Sequence, residues 1–182
     1  MADANVQAAI WAAAIAAGAT VSGYLLNQSR SRRERKATVF AEALTALRRY
    51  QDFPYKIWRR PAEDAQTRML MADEQSEASR QVRFHLVWLQ IDSPIVGEAF
   101  SALWRISQPA RLANLDLAWQ SGPITQDAQM AGPLPFQPEA AEPEMDLCIT
   151  AMRSELSLLA PLHRRRIRRL LSEQSDRRAI QP

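Results

Sequence analysis

Glycine is scarce in this chain, at 5 of 182 residues, cysteine occurs once, at Cys148, and histidine twice, at His85 and His163. A single cysteine permits no intramolecular disulfide. One thiol and two separated imidazoles supply no zinc cluster of the usual spacing. So few glycines leave almost none of the tight turns that cradle phosphates, and no Gly-x-Gly-x-x-Gly, Gly-Lys-Ser/Thr loop, Gly-x-Ser-x-Gly elbow or His-Glu-x-x-His motif occurs. No cofactor and no metal are expected, and the enzyme classes that need those motifs are excluded. Alanine, leucine and arginine abound instead, and 47% of the residues are hydrophobic. That mixture favours helices over collagen-like, disordered or turn-rich β architectures, so the expected class is all-α.

From Val6 to Leu26 run 21 consecutive uncharged residues, VQAAIWAAAIAAGATVSGYLL. At about 1.5 Å per residue they span the ~30 Å of a bilayer's hydrocarbon core. We read 6–26 as a transmembrane helix and 1–5 as a short external N-terminus. Arg30, Arg32, Arg33, Arg35 and Lys36 follow the span, whereas Asp3 is the only charged side chain before it. By the positive-inside rule this sets a single pass through the cytoplasmic membrane, N-terminus outside and C-terminus in the cytoplasm. A cleaved signal peptide would carry its charge ahead of a shorter run. Ala14, Gly18 and Ser22 recur every four residues with Ala19 and Gly23 adjoining, a face smooth enough for two backbones to approach and form a homo-oligomer.

Residues 27–120 read as a cytoplasmic up-and-down helical bundle. Val39, Phe40, Ala43, Leu44, Leu47 and Tyr50 keep helical spacing up to Pro54. Pro54 to Pro61, PYKIWRRP, reads as a proline-bounded connector whose rings pack on the bundle while its cations face water, the alternative being a cation and aromatic patch for phosphates or bases. A polar stretch then passes into Arg83-Phe84-His85-Leu86-Val87-Trp88-Leu89-Gln90-Ile91, apolar on nearly every side and expected to be buried against several neighbours. Asp92-Ser93-Pro94 supplies a break and an N-cap. Pro109 is expected to interrupt the next helix. Residues 121–144, acidic and rich in proline, are expected to form one long mobile loop, with Pro135-Phe136-Gln137-Pro138 at polyproline-ligand spacing. A bundle helix over 145–160 and a basic segment over 161–182 complete the chain.

Charge is segregated. Residues 1–60 carry ten cations and four anions, 61–150 five and 13, and 151–182 eight and three, so a net charge of +3 hides a strongly dipolar chain. In the last block Arg164, Arg165, Arg166, Arg168 and Arg169 surround Ile167, Leu170 and Leu171, the pattern of a helix lying on anionic lipid headgroups. The alternatives are a solvated tail, pairing with the acidic middle of the chain, and nucleic acid. Cys148 reads as a structural thiol, His85 as a core histidine, and Glu63, Asp64, Glu74 and Glu77 as solvated carboxylates rather than a metal site.

Arg32-Arg33-Glu34-Arg35, Val39-Phe40-Ala41-Glu42-Ala43-Leu44, Pro54-Tyr55-Lys56-Ile57-Trp58-Arg59-Arg60, Phe84-His85 with Trp88-Leu89, then Pro94, Val96 and Ala118-Trp119 follow one another in an order that resembles a family of uncharacterised single-pass, helical membrane-anchored proteins of bacterial and phage genomes. The resemblance covers roughly residues 1–119. It implies an accessory role at the host membrane, such as excluding a second phage, and no catalytic residue. The function expected is that of a membrane-anchored, non-enzymatic interaction or scaffold protein with an unknown protein partner. The alternative is a membrane-tethered nucleic-acid binder that uses the C-terminal arginines.

Overall fold

The computed structural model of the chain describes residues 2–126, 136, 141–157 and 160–179; within the helices it describes no side chain at 2–19, 21, 25, 160–162, 164 or 174–179. The fold is all-α, as expected: α1 (Ala2–Gln51), α2 (Phe53–Trp58), α3 (Ala65–Asp92), α4 (Pro94–Gln120), α5 (Glu142–Leu156) and α6 (Ala160–Ala179). The chain divides into two compact units, Met1–Thr38 and Val39–Pro182.

The first unit is the N-terminal part of α1. Its backbone is helical across the whole uncharged run Val6–Leu26. Among the described residues no helix is long and apolar enough to cross a membrane, and most side chains of Val6–Leu26 lie outside those residues. Tyr24 and Leu26, which are described, are exposed.

The second unit is a helical bundle with two apolar centres. In the larger, Phe40, Ala43 and Leu47 of α1 meet Val82 and Leu89 of α3, Val96, Phe100 and Leu103 of α4, Leu147, Cys148 and Met152 of α5, and Ile167 and Leu171 of α6. In the smaller, Phe53, Ile57 and Trp58 of α2 close on Met71 and Ala118, with Trp119, Ile124 and Phe136 beside them. Consecutive helices from α3 to α6 pack on one another, and α4 also touches α2 and α6.

Local chemistry explains the joints. Asp64 begins α3 by accepting a hydrogen bond from the Thr67 amide at 2.7 Å, which satisfies one of the orphan donors of the first turn. Ser93 alone separates α3 from α4, and Pro94 sits at the first helical position, where its missing N–H costs nothing. The two helices meet so closely that a Cβ on Gly97 would lie 2.7 Å from the backbone of Gln90. Only glycine fits there.

Four expectations are corrected. Pro109 does not end a helix: α4 runs through it. Leu103 and Ser107 before it and Arg111 and Asn114 after it are all buried, so packing on both sides holds the helical path against the lost hydrogen bond. The segment after α4 is shorter than 121–144, and of it 127–135 and 137–140, with Pro135, Gln137 and Pro138 of the polyproline-like run, lie outside the described residues. The Ile124 amide donates to the Arg60 carbonyl at 3.0 Å, Phe136 packs on Trp58, and α5 already starts at Glu142 with Pro143 in its first turn. The segment Arg83–Ile91 is buried on one side only. Val82, His85 and Leu89 face the core, while Phe84, Val87, Trp88 and Ile91 are 57, 55, 48 and 79% exposed. The helix lies against α4 along one side, and among the described residues nothing covers the other. Finally, Ile167 and Leu171 of the basic segment belong to the core. Packing on the bundle has taken the apolar stripe that a lipid-surface helix would need.

Candidate interaction surfaces

The residues whose chemistry suggested catalysis lie in the interior or in local ion pairs. Cys148 is fully buried on α5, and that burial pushes its thiol up to about 12. A group so held is a packed thiol and not a nucleophile at neutral pH. His85 faces the core from α3. Burial holds its imidazole below the usual range, with the Glu42 carboxylate acting the other way. It forms no pair with Cys148 that the structure shows. The carboxylates are engaged locally: Glu63 accepts from Arg60 at 2.9 Å, Asp64 caps α3, Glu74 pairs with Lys56 and Glu77 pairs with Arg80 at 2.7 Å. The hydrogen bonds from Gln81 and Arg80 hold Glu77 below the ordinary carboxylate range. Among the described residues no group of His, Cys, Asp and Glu is placed to hold a metal ion. A shallow cavity of about 450 Å³, lined by Gln51, Ala141, Glu142, Met145 and Asp146, contains none of the candidate residues.

Two arginines that a sequence reading sends to the surface are buried instead. The Arg60 guanidinium donates to the carbonyls of Ala118 at 2.8 Å and Ser121 at 2.5 Å, and lies 5.2 Å from the Trp119 ring. Arg111 donates from Nε to the Tyr50 carbonyl at 3.1 Å. Each cation therefore takes up carbonyls at a helix C-terminus, Arg60 at the end of α4 and Arg111 at the end of α1, where positive charge opposes the helix dipole. In the connector Tyr55-Lys56-Ile57-Trp58-Arg59-Arg60, only Arg59, over the Tyr55 ring at 5.1 Å, and Lys56 keep cations outward. No local sequence signal marks the pair: Arg60 follows Trp58 closely, but Arg111 lies between Ala110 and Leu112, far in sequence from the Tyr50 ring it covers.

What remains outward forms three surfaces. In the first unit Arg30, Arg32 and Arg35 are exposed, Arg33 and Lys36 half-buried, and Arg30 pairs with Glu34 at 2.9 Å. On the small-residue face, Ala14, Gly18 and Ala19 lie outside the described side chains; Ser22 and Gly23 are exposed, and nothing stands within 4 Å of a Cβ added at Gly23. On α6, Arg165, Arg166, Arg168 and Arg169 are exposed, with Arg169 paired to Glu173 at 2.9 Å, and the Arg164 side chain lies outside the described residues.

The third surface is the outer side of α3. Phe84, Val87, Trp88 and Ile91 are spaced three and four residues apart, so they form one apolar stripe on a helix. The Phe84 and Trp88 rings lie 5.8 Å apart along it. Met69 and Leu70 continue the apolar surface toward the N-terminal end of α3, and Asp73, Glu77, Arg80 and Arg83 lie between the two apolar ends. A contiguous exposed apolar stripe framed by charge is the usual mark of an interaction site. No known protein family, curated protein or solved structure matches the chain.

Proposed function

We propose that the chain is a membrane-anchored interaction protein: 6–26 crosses the cytoplasmic membrane, and the helical bundle on its cytoplasmic side presents binding surfaces rather than a catalytic centre. The observation that carries the anchor is the course of α1, helical across all 21 uncharged residues and then studded with Arg30, Arg32, Arg33, Arg35 and Lys36. A helix satisfies its own backbone hydrogen bonds, as a lipid-spanning segment must, and the cations on one side set its direction. The Ala14, Gly18 and Ser22 face offers a route to a homo-oligomer within the bilayer. The uncovered apolar stripe of α3 supports the binding role.

Membranes carrying the full chain are to be washed with alkaline carbonate, and cysteines introduced at Ala4 and Gln174 labelled from outside intact cells. Retention in the membrane with labelling at position 4 alone is the expected result. Complete release removes the anchor, and the reverse labelling overturns the orientation.

A second reading rests on α6. With Ile167 and Leu171 in the core, only Leu170 of the apolar triplet stays at the surface among the exposed arginines, which suits phosphates of lipid headgroups or of nucleic acid. Retention of duplex DNA that falls steeply with salt, and is lost when the five arginines become Gln, favours the tethered nucleic-acid binder. Binding to anionic vesicles with no DNA retention favours the headgroups.

A further inference from the structure

Among the exposed positions of α3, one series runs the length of the helix. Leu70, Asp73, Glu77, Arg80, Phe84 and Val87 succeed one another at alternating steps of three and four residues, and every one of them is exposed. Gln66 and Ile91 extend the series at both ends. That is a 3.5-residue repeat along the whole helix, the spacing of a seam that keeps facing one partner helix. We infer that α3 pairs with α3 of a second copy of this chain, antiparallel, about a two-fold axis at the helix midpoint. The inference rests on reading the outer side of α3 as an interaction surface and is independent of the anchor.

The charges select the partner and its direction. α3 runs from Ala65 to Asp92, so its midpoint falls between Ala78 and Ser79. On the seam the acids Asp73 and Glu77 lie before that point and Arg80 after it, with Leu70 at one end and Phe84 and Val87 toward the other. Rotation about the midpoint sets Glu77 of each copy opposite Arg80 of the other and Leu70 opposite Val87. Asp73 falls opposite Phe84 of the second copy, one turn from its Arg80, and Leu70 and Val87 lie outside the central ion pairs. A parallel pair would stack Glu77 on Glu77 and Arg80 on Arg80, which like-charge repulsion disfavours. Sliding the antiparallel pair by one heptad faces Glu77 with Val87, or Arg80 with Leu70, leaving charges against apolar side chains. Of these registers the midpoint one alone pairs Glu77 with Arg80 and Leu70 with Val87, and its one mismatch sets Asp73 opposite Phe84. The interface is isologous, so it closes at two chains and builds no filament. The intrahelical pair Glu77–Arg80, whose side chains are half or more exposed, is available to exchange partners on association.

The test uses the full chain in mild detergent, with Gly18→Leu in every sample so that the small-residue face of the N-terminal segment adds nothing. Sedimentation equilibrium is expected to show a monomer–dimer equilibrium. Glu77→Arg or Arg80→Glu alone is expected to weaken it at least about tenfold, since each sets like charges opposite one another twice. Mixing the two variants, or combining them in one chain, is expected to restore the parent affinity to within about threefold. The combined variant also controls for folding, because it keeps the same side chains with their positions exchanged. Orientation is read with a short bismaleimide: chains with Leu70→Cys are expected to crosslink to chains with Val87→Cys and not to one another. A chain that stays monomeric at about 100 µM overturns the inference. A dimer indifferent to both reversals overturns it too, as do Leu70–Leu70 crosslinks. Because the anchor is read by carbonate extraction and labelling, neither result bears on it.

Discussion

The Arg111 guanidinium lies 3.7 Å from the centroid of the Tyr50 ring, and its Nε donates to the carbonyl of that same residue at 3.1 Å. One side chain thus holds both halves of another, the ring by cation–π attraction and the backbone by a hydrogen bond. The Tyr50 hydroxyl completes the clasp by donating to Gln108 Oε1 at 3.0 Å. The last turn of α1 is fastened in this way to the middle of α4, next to Pro109, where α4 has surrendered a hydrogen bond of its own.

Arg111→Ala leaves the Tyr50 carbonyl without its donor in a dry site and empties the space over the ring. A stability loss of about 2–4 kcal/mol is expected. Arg111→Lys should recover less than half of it, because an ammonium cannot stack flat on the ring while donating sideways to the backbone. Thermal unfolding of the parent and the two variants, followed by circular dichroism, gives the comparison, and an unchanged Arg111→Lys midpoint would refute the stacked geometry.

Gly97→Ala sets two effects against each other. Alanine is the better helix former by about 1 kcal/mol, but its Cβ would stand 2.7 Å from Gln90 backbone atoms that have no side-chain freedom to yield. The clash should win, with a net loss of about 1–3 kcal/mol. Denaturant titration reads it directly, and a stabilised variant would mean that α3 and α4 do not approach so closely.

The Cys148 thiol should resist iodoacetamide at neutral pH in the folded chain and react fully in urea, since burial removes access and pushes its ionisation up to about 12. Mass spectrometry after timed labelling gives the two rates. Rapid labelling without denaturant would contradict the packed thiol of α5. Cys148→Ser should cost more than Cys148→Ala, since the serine places a polar group where burial leaves it short of partners.

His85 predicts a slope in stability with pH. Its folded imidazole binds a proton less readily than the ordinary value of 6.5 because burial penalises the cation, an effect that Glu42 only partly offsets. The unfolded chain therefore takes up the proton first. The contribution of neutral His85 is fully present above that value and is lost progressively as pH falls through it. Denaturation midpoints at about pH 7.5, 6.5 and 5.5 should decline for the parent and flatten for His85→Leu, whereas parallel curves for the two proteins would exclude His85 as the source.

Helix spacing made part of this arrangement legible in the sequence. The α3–α4 joint was plain because Ser93-Pro94 can begin a helix and cannot easily continue one, and the core of α1 through Phe40, Ala43 and Leu47 follows from period alone. Periodicity failed where it had to name a neighbour. Phe84, Val87, Trp88 and Ile91 share their segment with Val82 and Leu89, and hydrophobicity marks all six as fit for burial without saying that the bundle reaches only one side. Ile167 and Leu171 show the converse, since arginines all around them suggested a membrane surface when α4 and α5 were the partner. Arg60 and Arg111 were hidden for a different reason. Both are held by carbonyls that a distant part of the chain supplies, Ala118 and Ser121 for Arg60 and Tyr50 for Arg111, and no local pattern announces them.

Those two arginines also order events on the ribosome. The carbonyl of Ala118 that Arg60 requires comes 58 positions later in the chain, and Arg111 follows the carbonyl of Tyr50 by 61. At about 5–20 residues per second, each clasp waits roughly 3–12 s for its second half to be made. All of α3 is synthesised inside both intervals, with neither of its flanking fastenings closed. During those seconds Val82 and Leu89 have Phe40, Ala43 and Leu47 of α1 within the chain already made but nothing yet of α5 or α6, and the charged middle of the helix, from Asp73 to Arg83, separates its two apolar ends.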